Sequence, residues 1–188
     1  ALESIAGASK LGDGADAAPA LRNLGRGRTL ILIDGARVTA ERRAGPSATF
    51  VDPASLGSVE VVRGPGSVIY GSDAFGGVLN AVTRDPEMDR FHLSYGAEGA
   101  FESSDEQSGF VAASAPIGSG ALLVEGHHRD AGDFAAGGGE EIYNSSYTSF
   151  GGALRYVVPT ATGRLRIGLA LDRVDDLGKA AIDSRQIR

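Results

Sequence analysis

The sequence contains no cysteine and no tryptophan. Without cysteine there is no disulfide scaffold, no thiol nucleophile and no cysteine-ligated zinc or iron–sulfur centre. Positive charge is in the minority, with 18 Lys and Arg against 24 Asp and Glu and a formal net charge of −6. That balance argues against a nucleic-acid partner, which requires a basic stripe. No run of 18 or more apolar residues occurs, so a transmembrane helix is excluded. Transmembrane strands are not excluded, because each needs only ~9–11 residues and leaves a far weaker trace. The nucleophile elbow Gly-x-Ser-x-Gly is missing as well, and no enzyme activity is expected.

Glycine, by contrast, is abundant: 28 of 188 residues, about twice the ~7% of average proteins. It does not recur every third residue, so the chain is not collagen-like. With 42% hydrophobic and 22% charged residues, the composition is too apolar for a disordered chain. Residues 1–7 read as a helix, and the chain is expected to be incomplete at both ends.

Two halves differ in periodicity, and the boundary is placed between residues 89 and 90. In the first half, apolar residues form short runs: Leu30 to Ile33 before Asp34-Gly35, Val59 to Val62 before Arg63-Gly64-Pro65-Gly66, and Val78 to Val82. Short β-branched runs bounded by Gly or Pro predict strands buried on both faces. Between them, Asp52-Pro53-Ala54-Ser55-Leu56 predicts a one-turn helix, with Asp52 as N-cap and Pro53 at the first position. The first half is expected to be a small α+β unit.

The second half alternates with period two. Phe91, Leu93, Tyr95, Ala97, Gly99 and Phe101 share one side of a strand. His92, Ser94, Gly96, Glu98, Ala100 and Glu102 share the other. Similar apolar sides are Phe150, Gly152, Leu154, Tyr156, Val158 and Leu165, Ile167, Leu169, Leu171. The segments 107–116 and 121–129 alternate less regularly. Tight turns are expected at residues 116–120 and 159–163, and a long polar connection at 131–147. Short turns on one side and long loops on the other fit an outer-membrane barrel, as do the aromatic Phe91 and Phe101 at the two ends of their strand. A soluble antiparallel sheet, packed on one face and wet on the other, explains the alternation equally well.

The densest segment runs from Glu60 to Arg84. Gly66-x-x-x-x-Gly71-Ser72 imitates a phosphate loop but lacks its lysine, and Asp73 would repel phosphate. Gly64-x-Gly66 lacks the third glycine of a dinucleotide fingerprint. The whole segment instead resembles the plug signature of TonB-dependent outer-membrane receptors. Its elements are Val61-Val62-Arg63-Gly64-Pro65, Tyr70-Gly71, Gly76-Gly77 and a strand ending at Thr83-Arg84. Upstream, Arg28 to Gly35, including Asp34-Gly35, and Val51-Asp52-Pro53 match in order and spacing. The resemblance implies an α+β plug domain over 1–89, followed by antiparallel transmembrane β-barrel strands. Residues 90–188 would supply about five strands of a partial barrel, against about 22 strands in the barrel of that family. The family's N-terminal energy-coupling peptide, the first part of its plug and most of its barrel are not matched.

By resemblance, the complete protein sits in the Gram-negative outer membrane. There it binds a scarce extracellular nutrient, most plausibly an iron–siderophore or similar iron chelate, and imports it to the periplasm with TonB-coupled energy. Its partners would be TonB with the inner-membrane complex, a small-molecule metal chelate and outer-membrane lipid, with no cofactor. Haem, cobalamin and carbohydrate remain open as ligands. A soluble or surface β-rich binding module and a non-functional receptor fragment are the alternatives. Arg63 and Glu60 are expected at a plug–barrel contact, with Glu98 and Glu102 facing inward on the wall. Residues 38–49 would form an outward plug loop whose Arg42-Arg43 pair suits an anionic chelate through charge-assisted hydrogen bonds. The plug part has no histidine to ligate haem iron; His92, His127 and His128 all lie in the strand half. Adjacent His127 and His128 would point to opposite faces of a strand, so they would not share a metal. Asp172, Asp175 and Asp176 suit calcium or, more simply, a solvated loop mouth.

Overall fold

The computed structural model describes residues 8–11, 18–21, 24, 28–37, 51–100, 105–135 and 141–176. The chain divides into two compact units, Ala1–Arg84 and Asp85–Arg188. The division falls before Asp85, whereas periodicity places the boundary at 89/90; Asp85 is ion-paired to Arg164 and Arg166 within the second unit. The predicted helix at residues 1–7, the loop 38–49 with Arg42 and Arg43, and Phe101 with Glu102 lie outside the described residues.

In the first unit, β1 (Ala8–Leu11) and β2 (Ala18–Leu21) form a small antiparallel hairpin. The main sheet contains β3 (Thr29–Ile33), β4 (Ala36–Arg37), β5 (Leu56–Arg63) and β6 (Gly77–Thr83), in the order β4-β3-β6-β5. β3 and β6 run parallel at its centre and are largely buried, as their apolar runs predict. β5 corrects the expectation of burial on both faces, for most of its residues are exposed or half-buried. It is an edge strand, paired only with β6 within this sheet, and an edge leaves one side of the strand uncovered. Before β5, Asp52 caps a 3₁₀ turn at Pro53–Ser55, accepting from the Ala54 amide at 2.8 Å. After β5 comes the single-turn helix α1 (Ser67–Tyr70).

The second unit is a five-stranded antiparallel sheet. Its members are β7 (His92–Ala100), β8 (Glu106–Ile117), β9 (Gly120–Ala131), β12 (Tyr147–Thr160) and β13 (Gly163–Asp175). Between β9 and β12, a short hairpin pairs β10 (Phe134–Ala135) with β11 (Glu141–Ile142). The sheet order β13-β12-β9-β8-β7 follows the chain, so each strand lies beside its predecessor in an open, unclosed wall. β8 and β9, the two irregular segments of the sequence, are full-length strands. Tight two-residue turns at 118–119 and 161–162 join β8 to β9 and β12 to β13.

Burial across this wall is the reverse of a soluble sheet. The register aligns Leu93, Ala113, Val124, Leu154 and Leu169 in one row across all five strands. Leu93, Val124, Leu154 and Leu169 in that row are exposed, as are Leu165, Ile167 and Leu171. On the opposite face, Ser114, Glu125, His127, Ser149 and Arg155 are buried. A sheet packed on its apolar face would show the opposite pattern; an outward apolar band with a polar interior is the barrel pattern.

Candidate functional site

The glycine-rich turn of the first unit is held by a polar scaffold reaching across the sheet. Asp34 and Gly35 link β3 to β4 with φ of 50° and 79°. Two consecutive positive φ angles are the geometry that Asp-Gly favours in a two-residue hairpin loop. The Asp34 carboxylate accepts from the Thr83 amide at 2.9 Å and from the Thr83 hydroxyl at 2.7 Å, tying this turn to the end of β6. The Gly35 amide donates to Asn80 Oδ1 at 2.9 Å, and Asn80 Nδ2 donates to Glu60 Oε2 at 2.9 Å. Glu60 is therefore engaged within its own unit.

Arg37 organises the next part of the motif. Its guanidinium donates to the carbonyls of Tyr70 at 2.8 Å and Ser72 at 3.0 Å, and pairs with Asp73 at 3.1 Å. The acidic group that spoils a phosphate loop is thus the anchor of this turn. Gly64 (φ 98°) and Gly71 (φ 82°) adopt positive φ, while the Gly66 carbonyl accepts from the Ile69 and Tyr70 amides to start α1. Gly76 and Gly77 have a steric role. A Cβ on Gly77 would collide with the Val62 carbonyl oxygen, and one on Gly76 would lie 2.9 Å from the Leu24 Cβ. Pro65 is exposed, and so is Arg63 at the end of β5, with no ion-pair partner among the described residues. A cavity of about 460 Å³ lies in this unit, with Leu30, Leu32 and Val78 among its apolar lining and Arg37, Glu60 and Asn80 among its polar lining.

The wall carries its own polar set on the buried face. His127 Nε2 lies 3.2 Å from Asp172 Oδ1, and Arg129 pairs with Glu106. His128 is exposed, on the other side of β9 from His127 as alternation requires. The three aspartates considered for calcium do not act together: Asp172 faces His127, and Asp175 accepts from Arg173 at 2.8 Å. No group of three or more metal-ligating side chains occurs among the described residues. Glu98 is exposed on the His127 side of β7.

Sequence reasoning missed Arg37, Asn80 and Asp85. Arg37 and Asn80 are ordinary polar residues until the topology brings positions 33 and 45 residues away beside them.

The model of the TonB-dependent receptor plug domain matches residues 1–78. The chain belongs to the TonB-dependent receptors. An iron-regulated outer membrane virulence protein of Vibrio cholerae is 33% identical over 199 aligned residues, covering 98% of this chain and 30% of the relative. Among solved structures, the copper transporter OprC aligns with a TM-score of 0.76 at 18% identity, over 96% of this chain and 28% of that one. A ferric enterobactin receptor of Pseudomonas aeruginosa aligns with a TM-score of 0.69 at 17% identity, over 89% and 29%. This receptor chain therefore spans under a third of each of these proteins. No helix among its described residues is long and apolar enough to cross a membrane.

Proposed function

We propose that the complete receptor is an outer-membrane importer that binds an iron chelate outside the cell and releases it into the periplasm with TonB-coupled energy. The observation that carries this reading is the inverted wall, with a bare aliphatic face and a buried polar one. Such a wall is suited to lipid outside and a hydrated lumen inside. In this reading residues 1–89 are plug and residues 90–188 are the first wall strands. The iron-regulated relative supports iron as the cargo metal.

Polar plug–wall contacts would suit a plug that must move. Hydrogen bonds exchanged for water cost little net free energy, whereas separating an apolar core exposes surface at ~25 cal/mol per Å². Arg63, exposed at the end of β5, is assigned to the plug–wall contact with Glu60 beside it on the same strand. Arg42 and Arg43 are assigned to chelate binding through charge-assisted hydrogen bonds.

The test is binding of a ferric siderophore by the full-length receptor in detergent, with iron-limited growth of a deletion strain beside it. Binding together with a growth defect supports the reading. A full-length protein that is soluble without detergent would overturn it. Replacing Arg42 and Arg43 together with alanine should weaken binding; unchanged affinity removes them from the site.

A further inference from the structure

The first residue of the second unit, Asp85, carries a contact that the plug signature does not include. Arg164 Nη1 donates to Asp85 Oδ2 at 3.1 Å, and Arg166 Nε lies 2.9 Å from Oδ1. Both arginines stand on one face of β13, beside its tight turn. Two residues later the Glu87 amide donates to the Ser114 hydroxyl at 3.2 Å, on β8. Pro86, between them, is buried. The segment then enters β7, whose His92 is paired with that same Ser114.

These contacts place the connecting segment across the buried face of the wall, between β13 and β8, before it enters β7. β13 and β8 are three strand spacings apart, ~14 Å at ~4.8 Å each. Asp85 and Glu87 are at most ~7 Å apart along the chain. The long arginine stems supply the remaining reach, which explains why arginine stands at both positions. The Arg164 pair is exposed and adds little folding stability, whereas the Asp85 and Arg166 atoms that meet are themselves buried. What the pair of arginines fixes is position.

We propose that Asp85 is a positioning residue that anchors the plug-to-wall connection on Arg164 and Arg166, so that the connection stays fixed while the plug rearranges. The inference rests on the importer reading for its purpose but not for its geometry. Two observables separate the two. A nitroxide on Met88→Cys in the full-length receptor reports on the segment without any transport. It should be immobilised in the parent, become mobile in Asp85→Asn, stay immobilised in Asp85→Glu, and be restored when Asp85→Arg is combined with Arg164→Asp and Arg166→Asp. Equal mobility in parent and Asp85→Asn overturns the proposal.

The second observable is uptake of a ferric chelate by cells carrying Asp85→Cys with Arg166→Cys, bridged by a short reducible thiol linker. A fixed anchor predicts uptake in the bridged state at least as high as after reduction, because reduction leaves this variant without the Asp85 anchor. Loss of uptake that reduction reverses would show that the connection must detach, and would overturn the proposal. Absence of uptake in the parent would count against the importer reading alone, and the nitroxide result would still decide the anchor.

Discussion

His127 and Asp172 meet at 3.2 Å although their strands are not neighbours: β12 runs between β9 and β13, and the residue between the two side chains is Gly151. The aligned row across the wall reads Gly96, Phe110, His127, Gly151, Asp172. Each glycine opens space that a neighbouring side chain fills. A Cβ on Gly96 would meet the Phe110 ring at 2.6 Å, and one on Gly151 would collide with the Asp172 carboxylate. Glycine costs β-propensity, so its use here reflects the crowded polar face rather than looseness.

Gly151→Ala is therefore expected to destabilise the receptor by about 1–3 kcal/mol, the usual penalty for inserting a methyl where neighbours cannot retreat. The Leu171 carbonyl, 2.7 Å from the built Cβ, is backbone and cannot swing aside. The measurement is the thermal unfolding midpoint of the full-length receptor in detergent. An unchanged midpoint would show that the row is looser than its geometry indicates.

The Asp34–Thr83 connection makes a second prediction. Removing the carboxylate takes away an acceptor of both the Thr83 amide and the Thr83 hydroxyl, and Thr83 is 9% exposed. Asp34→Ala should cost about 1–3 kcal/mol, and Ala also tolerates the positive φ of this turn poorly. Asp34→Asn keeps an acceptor and suits the left-handed region, so its cost should be smaller. Amide exchange at Thr83 in the intact receptor distinguishes them: faster in Asp34→Ala, near parent in Asp34→Asn.

Much of this architecture is written locally. Asp34-Gly35 specifies its own turn, Asp52-Pro53 its own cap, and the alternation through Leu165 to Leu171 its own strand face. What the sequence could not reveal is who stands beside whom. Val59 to Val62 reads identically whether one strand or two flank it, so the edge position of β5 was not legible. Arg37 becomes a clamp only because β4 ends beside residues 70–73. The soluble and membrane readings share one alternation pattern, and the exposure of the aliphatic face is the structural feature that separates them.

Acid should loosen the base of the long connection between β9 and β12. Asp133 Oδ1 accepts from the amides of Ser145 at 2.7 Å and Ser146 at 2.8 Å, and the Ser145 hydroxyl lies 3.2 Å away. Partial burial works to raise the Asp133 pKa, but these donors, with the Asn144 amide, outweigh it and hold the carboxyl below its ordinary value. A depressed folded-state pKa means that the stabilisation is complete above the unfolded value of ~3.9 and is lost as pH falls through the folded one. Amide exchange at Ser145 and Ser146, corrected for its intrinsic pH dependence, should accelerate only below about pH 4. Asp133→Ala should show the fast rate already at neutral pH, and the opposite result would assign the loop base to other contacts.

The sharpest test of the wall contrasts two adjacent residues on β13. Leu169 belongs to the aliphatic row, with Leu154 directly opposite, while Ala170 faces the side of Arg166 and Asp172. If lipid covers the first face, Leu169→Arg places a charge in hydrocarbon at a cost of about 2–4 kcal/mol near the midplane. Ala170→Arg places the same charge on a polar, hydrated side, and Ala170 is exposed enough to admit the larger side chain, so the penalty should be small. A water-facing aliphatic side would reverse the outcome, since an exposed Leu→Arg change in water costs little and typically stays within ±0.5 kcal/mol. Unfolding midpoints of the two full-length variants in lipid decide between these, because the residue introduced is the same and the face differs.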